Sequence, residues 1–261
     1  MTPDETSVVY ETAGSVARIT INRPDRRNAI NPEVVRELAE SLARAEEDGS
    51  ISVAVLTGAG DKAFCAGGDL GGMTYGGRVQ QHLERADVGR LFETMRASRL
   101  PIVARVNGHA LAGGFGLMLA CDLVVAAEGA DVGTPEVDIG LWPFMITALI
   151  QRDVPRKIAL EMMLTGQRMP VAEAHRWGFV NRVVAASDLD KEVDALAHQL
   201  AAKSPLILRL GKKSFYESED MAVRQALDYL SGMLTVCLES EDAIEGVTAF
   251  LQKRPPVWKS R

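Results

Sequence analysis

The stretch NGHALAGGFG, Asn107 to Gly116, decides how the rest of this 261-residue chain is read. It joins an apolar strand-like run, Ile102 to Val106, to an apolar helix-like run, Leu117 to Cys121. Four small residues in five positions, Ala112, Gly113, Gly114 and Gly116, leave backbone N–H groups uncovered where a helix should begin. Amides at a helix N-terminus favour negative charge, whether it arrives on a ligand or develops during a reaction. The pattern predicts a strand, a tight glycine turn and a helix, with an anion-stabilising set of amides in the turn.

Upstream, the same order occurs once more. Ser52 to Thr57 (SVAVLT) suits a buried strand, the glycine-rich GAGDKAFCAGGDLGGMTYGG follows with Gly67 and Gly68 at its centre, and residues 78 to 98 read as a helix. This is a weak internal repeat, too short for a solenoid. Gly58, Gly60 and Ala63 imitate the spacing of a dinucleotide-binding turn, but such a turn opens directly into a helix, and Phe64 to Gly68 does not continue one. Earlier still, Ala17, Ile19 and Ile21 alternate with Arg18, Thr20 and Asn22, the period of a half-buried strand. It pairs as a hairpin with Val8 to Glu11 through a turn at Ala13-Gly14. Asn31 and Pro32 then supply an N-cap and a first helical residue for a helix that buries Val35, Leu38, Leu42 and Ala45 and ends near Asp48-Gly49.

Downstream, Leu123 to Ala127 reads as a strand, and GTPEVDIGLWPF as an extended loop restricted by Pro135 and Pro143. Beyond residue 144 strands become scarce, and Phe179 to Val184 is the last clear one. Helical patterns cover Arg156–Leu164, Val171–Trp177, Leu189–Lys203, Ile207–Tyr216 and, with one or two breaks, Met221–Leu251. The shift near residue 200 divides the chain into a core, 1–200, and a helical C-terminal region, 201–261. Amphipathic helices in such a region must cover their apolar sides with their own core or with another subunit.

Composition narrows the function classes. With 47% apolar residues the chain is globular, and a net charge of -6 argues against a dedicated nucleic-acid binder. Cys65, Cys121 and Cys237 are odd in number, and no secretory apolar segment opens the sequence, so a reducing, cytoplasmic setting is expected. The most apolar window, Leu111 to Ala127, is interrupted by Gly113, Gly114, Gly116 and Asp122, and no membrane span is expected. No cluster of His, Cys and carboxylates has metal-ligand spacing, so no metal is expected. Cys65 has no histidine beside it in the sequence and reads as a small buried hydrophobe. His109 could meet substrate or backbone, and Tyr75, Trp142 and Phe144 could line a pocket or simply pack.

The ordered segments NRPDRRNAI, AFCAGGDL, NGHALAGG, CDLVVAA, GTPEVDIGL, AEAHRWGFVNRVV and EDAIEGVTAFLQKRPPVWK resemble the enoyl-CoA hydratase/isomerase, or crotonase, family over nearly the whole chain. Together they specify the family more narrowly than the reaction. The resemblance implies an α/β fold, a spiral of strand-strand-helix units with a C-terminal helical region that serves trimer packing and closes the coenzyme A pocket. It implies trimers or dimers of trimers, and no permanently bound cofactor, coenzyme A being part of the substrate. By position, the amides of Gly68 and Gly113 match the family's two oxyanion donors, in agreement with the direct reading of both glycine loops.

Two-glutamate hydratases of this family carry one glutamate three residues after the second oxyanion glycine, where this chain has Gly116; their second corresponds to Glu136. One carboxylate can shuttle a proton between carbons of a dienolate, and the pattern resembles single-glutamate enoyl-CoA isomerases. Hydration stays open, because a held water or another side chain could replace the missing partner. Asp138, the nearest acid, would lie roughly 6 to 7 Å along an extended chain from Glu136 and reads as a loop cap. For coenzyme A, the resemblance implies contacts near Arg26, Arg27 and Asn28 and beside Ala66, with Lys253 and Arg254 reaching a phosphate, and Gly71 replaces a lysine frequent in the family. Decarboxylation or thioester hydrolysis through the same oxyanion hole, or a non-catalytic binding role on the same fold, remain as rivals.

Overall fold

In the computed structural model, which describes residues 6–71 and 77–260, the chain opens with an antiparallel hairpin, β1 (Val8–Ala13) and β2 (Val16–Ile21). Helix α1 (Pro32–Glu47) follows, started by Asn31, whose side chain accepts from Val34 N at 2.9 Å. A strand-strand-helix unit then comes twice: β3 (Val53–Gly58), β4 (Ala63–Cys65) and α2 (Arg78–Ala97); β5 (Ile102–Val106), β6 (His109–Leu111) and α3 (Gly113–Ala120). It comes a third time as β7 (Leu123–Ala127), β8 (Asp131–Gly133) and α4 (Phe144–Asp153), with a 3-10 turn over Pro135–Ile139 before the helix. That turn and Pro143 hide the third repeat from sequence patterning. The remainder is α5 (Arg156–Thr165), β9 (Met169–Pro170), α6 (Val171–Trp177), β10 (Arg182–Val184), α7 (Leu189–Ala201), α8 (Pro205–Ser218), α9 (Val223–Leu238) and α10 (Glu241–Leu251).

The first strand of each unit enters one sheet and the second enters another. The larger sheet runs β1-β2-β3-β5-β7-β10, parallel from β2 onward; the smaller runs β4-β6-β8-β9. The larger sheet is buried on both faces, which accounts for its unbroken apolar runs. Ala54, Leu56, Ile102, Ala104, Val124 and Ala126 face the main core, while Val53, Val55, Val103 and Val125 face Leu189, Val193 and Leu196 of α7. This is the spiral expected from the sequence. Two expectations need correction. The strand over Phe179–Val184 shortens to β10, because Phe179 and Val180 sink into the main core instead of extending the sheet. The segment over Pro135–Ile139 is a 3-10 turn closed by Gly140, and not extended.

Helix α8 is fastened to the core by a nearly dry ionic knot. Lys212 Nζ donates to Asp122 Oδ2 at 2.7 Å and to the carbonyls of Met95 and Leu100, while Tyr216 donates to Asp122 Oδ1 at 2.8 Å. Farther out, α9 buries no residue, and Leu227, Leu234, Ile244 and Phe250 are all exposed. Among the described residues no helix is long and apolar enough to cross a membrane.

Candidate active site

Parallel strands β4, β6 and β8 lie side by side, so the three segments that leave their C-terminal ends emerge at one edge of the small sheet. Cys65 pairs with Ala110, and Leu111 pairs with Gly133. Just past these residues come Gly67-Gly68, Ala112-Gly113 and Pro135-Glu136. Topology thus gathers three segments that are far apart in sequence, with Gly113 between the other two.

The first two segments interlock. Ala112 N donates to Gly133 O at 2.8 Å, tying the turn to β8. Ala112 stands at φ 51°, ψ -127°, a conformation that costs a residue with a Cβ about 1–3 kcal/mol and persists where surrounding contacts enforce it. It presses against Gly67, whose φ of +99° suits glycine. A Cβ added to Gly67 would stand 2.6 Å from Ala112 Cβ and 3.2 Å from Gly113 N. A Cβ on Gly113 would lie 3.8 Å from Gly68 N. Ile30 bridges to Gly68 by accepting from Asp69 N and donating to Gly67 O, both at 2.8 Å. The N–H of Gly68 itself therefore points away from Ile30. Neither Gly68 N nor Gly113 N finds an acceptor among the described residues. Two free amides stand side by side on glycines that let a ligand approach.

Glu136 sits in the 3-10 turn, its carbonyl accepting from Leu141 N at 3.0 Å. Its Oε2 is buried without a hydrogen-bond partner, and burial raises its carboxyl above the ordinary glutamate range, against a smaller opposing effect of its own N–H. An unpaired buried acid is costly in a fold and is the state a proton-transfer group needs. Asp138, by contrast, is exposed, with its carboxylate over Gly166. The helical turn, and not chain extension, separates it from Glu136. Position 116 is packed: a Cβ on Gly116 would lie 2.8 Å from Phe92 Cζ and closer still to Ile146 Cγ2.

The remaining sequence candidates separate clearly. Arg26 and Arg27 are exposed, and Arg27 O accepts from Ala66 N at 3.0 Å, so their turn adjoins the Gly67-Gly68 loop. Asn28 is buried at 1% exposure, and its side chain is consumed by Arg23 N, Ala59 O and Ala63 O. Its amide thus braces the turn from inside. Arg254 grips Glu245 of α10 with both terminal nitrogens, at 2.6 and 2.9 Å. Lys253 beside it is exposed. Burial pushes the Cys65 thiol up to about 12, which leaves it protonated and inert. His109 Nδ1 accepts from Asp131 N at 3.0 Å, the backbone role. Phe144 is the first residue of α4 and is 79% exposed, Trp142 is partly buried against the main core, and Tyr75 lies outside the described residues. Sequence reading missed Arg23, which holds Asp69 at 2.8 Å beside the Gly68 loop. No local pattern marks that pair, whose members are 46 residues apart.

Comparison with known proteins finds relatives over nearly the whole chain. The family described as Enoyl-CoA hydratase/isomerase matches residues 11–261. The carnitinyl-CoA dehydratase of Escherichia coli K12 is 39% identical over 253 residues, 95% of this chain and 96% of that protein. Its namesake in Proteus mirabilis HI4320 is 36% identical over 260 residues, 98% and 99% of the two chains. Among solved structures, an enoyl-CoA hydratase from Bacillus anthracis superposes with a TM-score of 0.93 at 29% identity, covering 98% of this chain and 100% of that one. One from Mycobacterium smegmatis gives 0.93 at 32% identity, with 97% and 99% covered.

Proposed function

The chain belongs to the enoyl-CoA hydratase/isomerase family, and from that premise we propose that it moves a proton at the α-carbon of an acyl-CoA thioester, with Glu136 as the acid/base. In this reading the amides of Gly68 and Gly113 receive the thioester oxygen as it becomes an enolate. Each such donor is worth about 2.7–4 kcal/mol of transition-state stabilisation. The observation that carries the proposal is the buried, unpartnered Oε2 of Glu136 at the sheet edge that also presents the two free amides.

With Gly116 on α3 and Glu136 the sole carboxylate so placed among the described residues, the reaction we assign is double-bond isomerisation. Glu136 takes a proton from C2 of a 3-enoyl thioester, the electron pair spreads over a dienolate, and the protonated Glu136 delivers a proton to C4 to leave a 2-enoyl product. A second reading, reversible removal of water from a 3-hydroxyacyl thioester, is favoured by the dehydratase names of the relatives above. Here Glu136 would pass the C2 proton to the departing hydroxyl. Coenzyme A would lie along Arg26, Arg27 and the backbone at Ala66. Residues 201–261 would form the helical region, and its exposed apolar side chains would be covered by neighbouring subunits in a trimer or dimer of trimers.

Purified protein given 3-enoyl-CoA, 2-enoyl-CoA and 3-hydroxyacyl-CoA separately tests the assignment. Conversion of at least one, lost in Glu136→Gln, is expected. If none is converted and the variant alters no acyl-CoA reaction, the assignment is wrong; release of carbon dioxide or free thiol would instead support decarboxylation or hydrolysis. Light scattering of the purified protein reads the assembly.

A further inference from the structure

Position 116 does more than lack an acid. Gly116 lies three residues after Gly113 on α3, which places both on one face of the helix. Helical Cα–Cβ bonds tilt toward the N-terminus, so any side chain at 116 would lean back toward the turn that presents the Gly113 amide. That volume is already taken. Phe92, from α2, and Ile146, from α4, are 4% and 3% exposed and meet over Gly116, inside carbon–carbon contact of where its Cβ would be. Two helices from different repeats thus build an apolar wall beside the candidate oxyanion site.

The other acids of these loops are engaged or turned elsewhere. Asp69 is held by Arg23, whose hydrogen bond keeps its carboxyl below the ordinary aspartate range, and Asp138 is exposed over Gly166. Among the described residues, Glu136 is the one acid with a buried carboxyl oxygen that has no partner. Adding water to a 2-enoyl thioester requires an O–H proton to leave as the C3–O bond forms and a proton to reach C2. One carboxylate serves both only if water can stand beside it.

We propose, resting on the reading of Glu136 given above, that Phe92 and Ile146 are specificity-determining residues: their wall keeps water from C3 of the enoyl thioester, so that proton transfer at carbon is the reaction left open. The substrate class is then an unsaturated acyl thioester whose double bond migrates, and hydration is the suppressed branch. Removing acid/base assistance to water costs roughly 10²- to 10⁴-fold, and the wall holds hydration behind carbon protonation by that factor.

The unmodified protein provides the first test. In deuterium oxide with 2-enoyl-CoA, washing of deuterium into the carbon chain should outrun formation of 3-hydroxyacyl-CoA by at least about 100-fold. Hydration that keeps pace with exchange overturns the proposal. The second test opens the wall. Phe92→Leu with Ile146→Ala should raise the ratio of hydration to exchange about tenfold, and adding Gly116→Glu should raise it by roughly 10²-fold or more. Variants that melt cooperatively and still exchange deuterium but leave the ratio unchanged also overturn it. Failure of the underlying reading looks different: the unmodified protein and Glu136→Gln would then exchange deuterium alike.

Discussion

Replacing Gly67 by alanine probes the contact on which the two-amide arrangement depends. The backbone at 67 has φ +99°, and a side chain there meets a left-handed penalty of about 1–2 kcal/mol. The new Cβ would also stand 2.6 Å from Ala112 Cβ and 3.1 Å from Leu111 O, and overpacking of this kind costs about 1–3 kcal/mol. Together these predict a loss of about 2–5 kcal/mol of stability, read by urea unfolding. Relief of the clash must push Ala112 away, and with it the adjoining Gly113 amide. Displacement of one oxyanion donor predicts a fall in kcat of roughly 100- to 1000-fold, measured on whichever acyl-CoA the unmodified protein converts and at a temperature where the variant is folded. Gly14→Ala separates the two costs, since Gly14 has φ +58° and nothing within 4 Å of its would-be Cβ. It should lose only the backbone penalty and keep full turnover. A folded Gly67→Ala protein that retains kcat within about threefold, far below the loss expected of a displaced donor, would refute the coupling between the Gly67 contact and the Gly113 amide.

Glu136→Gln should remove the pH dependence of α-proton abstraction. Burial raises this carboxyl, so activity of the unmodified protein should climb as pH passes a midpoint above the ordinary glutamate range, while the variant stays flat and low. Stability follows with the opposite sign. A raised carboxyl contributes fully below its unfolded value and loses that contribution as pH climbs through the folded value, so the variant should overtake the unmodified protein in thermal melts near neutrality. Asp190 behaves in the other direction: hydrogen bonds from Arg105 and Arg18 hold it at about 2, so Asp190→Asn should flatten the stability lost between the ordinary aspartate range and pH 2, and salt should shrink the effect because the side chain is 56% exposed. Lys212→Met strands Asp122 among buried neighbours and should cost about 3–5 kcal/mol in urea unfolding; a cost near zero would mean that α8 is held by apolar packing alone. Asn31→Ala, which removes the bond to Val34 N, should cost about 1 kcal/mol without changing kcat.

Much of the fold was legible because its strands and helices carry their periods locally. SVAVLT and IVARV run unbroken in apolar residues because their sheet is covered on both faces, and Asn31-Pro32 starts α1 where cap chemistry requires. The three-residue strands β4 and β6 and the two-residue β9 carry no period long enough to read. The helix α4 escaped notice because Pro143 and the preceding 3-10 turn broke the repeat pattern. For Asn28 the sequence shows only an amide in a basic turn, and the fold adds that its side chain is buried against Ala63 of β4.

By itself, then, the sequence determined which residue types stand at the decisive points: glycines at 67, 68 and 113 where backbone must come close, a glutamate after Pro135, and no acid at 116. Those are properties of single positions and their neighbours. Only the tertiary structure decided what surrounds them, because each environment is assembled from distant segments. Parallel pairing of β4, β6 and β8 gathers Gly68, Gly113 and Glu136 at one edge. Burial leaves one carboxylate oxygen unpaired there, and α2 and α4 cross to fill the space beside Gly116 with Phe92 and Ile146. A missing side chain is visible in a sequence; what occupies its volume is settled by packing.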